Sequence, residues 1–392
     1  ISTNRFSKWE NAEMTTYETI LKLAEDLISI PSTEDRPEAL LEVVELVADV
    51  CRDAGLFVNM LEYNEVPSLY ISTRNTRETD VLFNGHLDVV SAYPKQFKPF
   101  TRDGFLHGRG SVDMKLYDAV AIQVLIDLFK DDPSINAGCY FSCDEETGGH
   151  NGAKMFARDG YRSRLLLNGD AGLDYALVTG SKGILRFKMI AETQPGRPAY
   201  PWEGTNAAQL LLDGVNRIQT RFNDHNIARA EDNWYTTFSI GKMQTKQHPS
   251  CLPHYAEMLL GINFVDDLSY MELFAEIKRL VPELKFELVN VAERLDMDEN
   301  RPVYEAFRSI ASSHFDREFM IKKDNGSSDA KFFKDIMDDI IIVKMPGVGA
   351  HEPDERARLD GIMPMYQTLM DISKLLIKNM PLEQLEMMGE SS

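Results

Sequence analysis

The sequence predicts an α/β protein in which a catalytic domain with a mostly parallel central sheet is interrupted by an inserted ferredoxin-like α/β sandwich. Three observations predict this. Strand-like apolar runs alternate with helical runs in the first part of the chain, the order that gives a parallel sheet covered by helices. From about residue 179 to 296 the runs read β-α-β-β-α-β, the order of a ferredoxin-like sandwich. The first texture then returns, so 14–178 and 297–385 form one domain and 179–296 the insert. A chain of 392 residues with 43% hydrophobic content has enough apolar matter for two cores.

The elements follow in order. TTYETILKLAEDLISI carries apolar residues at helical spacing behind Thr15 or Thr16 as N-cap, and Pro31 ends it. PEALLEVVELVADVCRDAG is a second helix with Gly55 placed to stop it. Strands are expected at 57–63, 68–73, 80–85, 139–143 and 164–168, and helices near 115–130 and at 150–159. In the insert, strands are expected in GILRFKMIAET, WYTTFSIGKMQ, YAEMLLGINFV and LKFELVNV. Its helices lie in NAAQLLLDGVNRIQTRF and LSYMELFAEIKRLV. Helices at 302–313 and 328–337, the strand DIIIVKM and a helix at 359–378 complete the first domain. The stretch before Met14 reads as a tail or extension ahead of the native fold.

Lys and Arg total 42 and Asp and Glu 62, a net charge of −20. That balance argues against binding nucleic acid or an anionic membrane. No apolar run of about 18 residues is present to span a bilayer. Cys51, Cys139, Cys143 and Cys251 show no CxxC spacing. Cys139 and Cys143 flank an apolar run and read as buried structural thiols, which fits a reducing cytoplasm.

The chemistry lies in VLFNGHLDVV, GRGSVDMK, FSCDEETGG, LLLNGDAG and PGVGAHEPDE. These place His86, Asp113, Glu146, Asp170 and His351 in short polar breaks after apolar runs, with Glu145 beside Glu146. Two imidazoles and three carboxylates match the donors of two zinc-like cations, and a further Glu supplies a base. Singly, each is an ordinary turn or capping residue. Together they fall at the carboxyl ends of predicted strands, where open α/β sheets bind ligands. Asp88, two residues after His86, is placed to accept the second ring N–H of His86. Asp113 follows glycines and can bridge two cations about 3.5–4 Å apart. His107, His150, His225, His248, His254 and His314 lack this context and read as surface or structural, with His254 the one near a substrate motif.

The strings GHLDVV, GRGSVDMK, DEETGG, NGD and AH-x-x-DE, in this order, resemble the co-catalytic zinc peptidase family. That family includes acetylornithine deacetylase, succinyl-diaminopimelate desuccinylase, aminoacylase and glutamate carboxypeptidase. The resemblance covers roughly 14–385 and implies a zinc-peptidase-like catalytic domain with a lid or dimerisation insert. By resemblance, His86 and Asp170 hold one metal, Glu146 and His351 the other, and Asp113 bridges. Two divalent ions are implied, zinc foremost, with cobalt or manganese compatible with the same donors. Asp88 orients, and Glu145 is the general base that takes a proton from a metal-bridging water. The resulting hydroxide attacks the amide carbonyl. The implied substrate is an N-acyl amino acid or a small dipeptide-like amide with a free carboxylate, and the implied assembly is a homodimer.

The insert departs from the family pattern. Arg197 stands where a His lent across the dimer to the oxyanion is usual. Ser250 replaces an Asn, and Asn263 replaces an Arg that grips a substrate carboxylate. Lys331 stands where Arg is common. Arg197, Asn263, Gly326, Ser327, Ser328 and Lys331 are the candidate substrate contacts. The departures leave a second reading open: a metal-binding relative with little hydrolytic activity, acting as a ligand-binding or regulatory protein. A two-metal phosphatase is disfavoured because no phosphate-cradling loop is present.

Overall fold

The computed structural model describes residues 14–170, 172–222, 233–245 and 250–377. The stretch before Met14, His225 and His248 lie outside the described residues. The chain divides into two compact units. One runs through Thr179 and includes Asp298–Lys322 and the chain from Phe332; the other is Gly180–Met297 with Lys323–Lys331. The segment 323–331, which the sequence reading left with the flanking parts, thus belongs with the second unit.

The chain begins α1 (Thr16–Ser29), α2 (Pro37–Asp53), β1 (Phe57–Tyr63), β2 (Val66–Ser72), β3 (Glu78–His86), β4 (Phe100–Arg102) and β5 (Phe105–His107). It continues α3 (Lys115–Asp131), β6 (Ala137–Ser142), α4 (Ala153–Arg158), β7 (Arg162–Asn168) and β8 (Ala176–Ser181). Next come β9 (Gly183–Glu192), α5 (Ala207–Phe222), β10 (Thr237–Thr245), β11 (Tyr255–Phe264), α6 (Tyr270–Leu280), β12 (Lys285–Ala292) and β13 (Leu295–Asp296). The last elements are α7 (Pro302–Phe315), β14 (Met320–Asp324), β15 (Met337–Ile342), β16 (Gly347–Val348), β17 (Arg356–Arg358) and α8 (Ile362–Ile377).

The first helices obey their sequence signals. The Thr15 hydroxyl accepts the Glu18 N–H at 3.3 Å, and the Glu18 carboxylate accepts the Thr15 N–H at 2.8 Å. This reciprocal pair is a capping box. Ile20, Leu23, Ala24, Leu27 and Ile28 form the buried stripe. Pro37 opens α2, and Gly55, at φ +84°, takes the left-handed conformation that stops it.

In the first unit the central sheet is ordered β1-β2-β6-β3-β7-β15-β8. Its middle is parallel: β3 pairs with β6 and β7, and β15 with β7. The flanks are antiparallel, so the sheet is mixed. α3 packs against α1, α8 and β3 and is buried continuously from Lys115 to Ile126. Lys115, at its start, donates to the Leu27 and Ile30 carbonyls at 2.8 and 3.0 Å and to the Ser32 hydroxyl at 2.8 Å. Those bonds serve the C-terminal end of α1. A small antiparallel sheet, β16-β17-β5-β4, completes this unit.

The second unit is the ferredoxin-like sandwich read from the sequence. Its antiparallel sheet is ordered β10-β11-β9-β12. Leu185, Phe187, Leu211, Ile218, Leu260 and Phe274 share its core with the helices α5 and α6.

One expected helix is absent. In place of a helix at 328–337 there is a single tight turn, Asp329–Phe332. The Ser328 hydroxyl accepts the Ala330 N–H at 3.3 Å, and its carbonyl accepts the Lys331 N–H at 3.3 Å. Such local bonding of a serine competes with helix propagation.

α3 also explains two glycines. A Cβ on Gly85 would stand 1.9 Å from Asp118 Oδ1, and one on Gly169 would stand 2.1 Å from the Tyr117 ring. Each glycine lets a strand end lie directly on the helix, one residue before a candidate ligand. Gly169→Ala is expected to lower stability by about 1–3 kcal/mol through overpacking. The readout is the urea midpoint at unchanged slope; an unmoved midpoint would mean that Tyr117 yields without cost.

Candidate metal centre

Three adjacent strands in the order β6-β3-β7 bring the first donors together. His86 is the last residue of β3. Glu145 and Glu146 form a short turn after β6, and Asp170 lies two residues past β7. The expectation placed all five at the carboxyl ends of predicted strands; Asp113 and His351 follow strands outside the central sheet. Asp113 sits in the loop between β5 and α3, and His351 in the hairpin between β16 and β17. Both therefore hang from the small sheet. The Asp113–Met114 peptide is cis.

The Asp113 carboxylate lies between the two imidazoles. Its Oδ1 is 3.0 Å from His86 Nε2, and its Oδ2 is 3.1 Å from His351 Nε2. The same His351 nitrogen is 3.1 Å from Glu146 Oε2. Glu146 Oε1 accepts the Val90 N–H at 3.3 Å. One ligand atom each from His86, Asp113 and Glu146 lie within 4.8 Å of one another, as do those of His86, Glu145 and Asp170. His351 has φ +65°, a left-handed backbone rare for a residue with a side chain. Such a conformation is held by its surroundings and is common at functional sites.

Asp88 does more than face the His86 ring. β3 ends at His86, so strand alternation does not carry on to Asp88. The His86 Nδ1 atom lies 3.0 Å from the Asp88 backbone carbonyl and 3.5 Å from its carboxylate. The Asp88 carboxylate accepts the N–H groups of Glu145 at 3.3 Å and Glu146 at 3.0 Å. Asp88 therefore holds the double-glutamate turn as well as the imidazole.

Two asparagines escaped the sequence reading. Asn168 donates from Nδ2 to Asn84 Oδ1 at 2.8 Å, and its own Oδ1 accepts the Asp170 N–H at 3.1 Å. The Gly169 N–H donates to the Asn84 carbonyl at 3.2 Å. This pair clamps the ends of β3 and β7 beside the donors. The visible signal was the repeated Asn-Gly before both His86 and Asp170.

The site's electrostatics suit cations. Burial alone would lower the His86 pKa, but the Asp113 and Asp88 carboxylates outweigh it and hold it well above the usual value. Hydrogen bonds to Asp113 and Glu146 push His351 up to about 10. Burial opposes ionisation of Asp113, yet His351 and His86 hold its pKa below the usual range. Imidazolium–carboxylate bonds thus stand where cation–ligand bonds fit, and the donor set of nitrogen and oxygen suits zinc. A raised His pKa contributes stability below about 6.5 that is lost as pH rises towards about 10. Metal-free protein at pH 7 therefore holds protons on both rings, and ligation must expel them. Cation uptake at pH 7 is expected to release about two protons per chain, with affinity rising from pH 6.5 to 10. Calorimetry in buffers of different ionisation enthalpy checks this; zero release contradicts it.

The candidate substrate residues all lie in the second unit. Arg197 donates to Glu203 at 3.1 and 2.6 Å and stacks on Tyr200 at 4.2 Å. Asn263 accepts from Arg186 at 2.7 Å, a guanidinium the sequence reading passed over. Gly326 donates to Asp324 at 3.3 Å, Ser327 and Ser328 follow in the same turn, and Lys331 is buried there rather than exposed on a helix. Among the other histidines, His107 stacks on Phe100 and His314 pairs with Asp371 at 2.8 Å.

The chain is similar to known proteins. The pattern described as peptidase family M20/M25/M40 matches residues 82–374. A succinyl-diaminopimelate desuccinylase from Methylobacterium radiotolerans is 27% identical over 90% of this chain and 96% of its own. A probable carboxypeptidase from Aspergillus terreus is 32% identical over 42% of this chain, a match spanning only 40% of that relative. An M20 family metallo-carboxypeptidase from Sulfolobus solfataricus superimposes with a TM-score of 0.76 at 15% identity, covering 92% of this chain and 99% of its own. That last likeness bears on the fold alone.

Proposed function

The chain belongs to peptidase family M20/M25/M40, a family of metal-dependent hydrolases, and from that premise we propose that it cleaves an amide bond beside a free carboxylate. The substrate is an N-acyl amino acid or a small dipeptide-like amide. One observation carries the reading: the Asp113 carboxylate offers one oxygen to each imidazole, at 3.0 and 3.1 Å. His86 and Asp170 would hold one divalent cation, Glu146 and His351 the other, with Asp113 shared. Bound there, the cations would polarise the amide carbonyl and make water more acidic, as zinc does, with cobalt and manganese suited to the same donors.

The chain's own groups do the rest. Asp88 fixes the Glu145–Glu146 turn through two backbone N–H groups. Glu145 accepts the proton of the attacking water and returns it to the leaving amine. The residues put forward for the substrate carboxylate are Arg197, Asn263, Gly326, Ser327, Ser328 and Lys331. Arg186 joins them because its guanidinium is bonded to Asn263.

The test is amine release from a panel of N-acyl amino acids and dipeptides with zinc-, cobalt- and manganese-loaded protein. Turnover that a chelator abolishes supports the reading. A fully loaded protein that turns over nothing in the panel sinks it.

The assembly we assign is a homodimer through the inserted sandwich. Its edge strand β10 exposes the apolar side chains of Ile240 and Met243. Light scattering is expected at twice the chain mass, and a value at one chain mass contradicts it. A cytoplasmic place is in keeping with the free cysteines. No helix among the described residues is long and apolar enough to cross a membrane.

A further inference from the structure

Glu355 closes the AH-x-x-DE string and is 1% exposed. Its Oε1 accepts three N–H groups of one loop: Gly110 at 3.0 Å, Val112 at 2.9 Å and Asp113 at 3.2 Å. Its Oε2 pairs with the equally buried Arg109 guanidinium. The backbone repeats the link, since Gly108 N–H donates to the Glu355 carbonyl at 3.2 Å. From the next residue, β17 pairs with β5 in the register Arg356↔His107.

The other side of Glu355 touches the hairpin of His351. A Cβ on Gly349 would lie 3.2 Å from Glu355 Cα, and Gly349 has φ +80°. The Glu352 N–H donates to the Gly349 carbonyl at 2.8 Å, closing the turn around His351. One buried carboxylate therefore grips the loop that carries Asp113 while its backbone buttresses the loop that carries His351. Burying a charged carboxylate is costly unless it is fully bonded. Here the bonding goes to the backbone of a ligand loop rather than to the core.

We propose that Glu355 is a positioning residue that sets the separation of the Asp113 carboxylate and the His351 imidazole, and so governs the cation on the Glu146–His351 side. Neither atom of its carboxylate needs to touch substrate or cation. The assignment rests on the two-cation reading above. It adds that the two cation positions respond unequally to a residue that ligates neither.

The test titrates cobalt into metal-free wild type, Glu355→Gln and Glu355→Asp, reading affinity by calorimetry, geometry by the visible cobalt band, and folding by Tm. Glu355→Asp keeps the charge against Arg109 but withdraws the carboxylate by one methylene, so it is the variant to rely on if Glu355→Gln does not fold. One of the two cobalt equivalents is expected to weaken about 10–100-fold, the usual effect of removing a partner that orients a ligand, with the other within about threefold of wild type. The visible band of the weakened equivalent shifts, and kcat falls with KM little changed. Two outcomes overturn the assignment: both equivalents binding as in wild type with the same band, or both weakening together in step with Tm, which would make Glu355 general support for the unit. Wild type taking up fewer than two equivalents would instead refute the two-cation reading, and this appears before any variant is made.

Discussion

Glu145→Ala is expected to reduce kcat by about 10²–10⁴ while leaving cation content and KM close to wild type. The two adjacent glutamates are employed differently. Glu146 has both oxygens engaged, one by the Val90 N–H at 3.3 Å and one by His351 at 3.1 Å. Glu145 sits on the other side, with an oxygen within 4.8 Å of the His86 and Asp170 donors. That distance suits proton transfer to a reactant held there, and it is also short enough for ligation. The two roles separate in one experiment. Loss of turnover with two cations retained, counted by atomic emission, makes Glu145 the base. Loss of a cation along with turnover makes it a ligand, and turnover within about threefold of wild type removes it from the mechanism.

The parts of the site legible in the sequence share one physical cause. In a parallel sheet, an apolar run that breaks into polar residues marks a strand's carboxyl end, and neighbouring strands open towards the same edge. His86 ends β3, and Glu145, Glu146 and Asp170 follow β6 and β7; these strands are neighbours, so reading each end separately also predicted the convergence. Asp113 and His351 were found by their strings, but their supports were misread. β5, β16 and β17 are two or three residues long, too short for alternation to register. Glu355, which ties those supports together, stood in the AH-x-x-DE string without a role.

Other features were visible without being interpretable. Asn-Gly ordinarily signals a turn. Its meaning here, a bond between Asn84 and Asn168 across two strand ends, depends on a partner 84 residues away. The insert's β-α-β-β-α-β order was plain because its helices and strands are long and strongly patterned. The helix expected at 328–337 failed because Ser328 satisfies its neighbours locally, a choice that apolar spacing does not report.

Asp113 gives the other large effect. Asp113→Ala is expected to lower cation content from about two per chain to below one and to remove turnover by about 10³ or more. His351→Ala should remove only the cation on its own side. The contrast follows from geometry: His351 meets Asp113 and Glu146, whereas Asp113 meets both imidazoles. The metal-free protein offers an independent reading of the same arrangement. Asp113 is the first cause of the elevation of His351 to about 10 and, after the opposing effect of burial, the first to raise His86. Removing it should bring both imidazoles down towards ordinary values. Their protons are then lost at lower pH, so proton release on adding cations at pH 7 should fall along with the uptake itself. NMR titration of the two imidazoles in metal-free Asp113→Ala measures that fall without any cation present. Both pKa values dropping, with cation content below one, fits a carboxylate shared by two sites. If only one imidazole responds and one cation is retained, Asp113 serves a single site, and the second cation must be held without it.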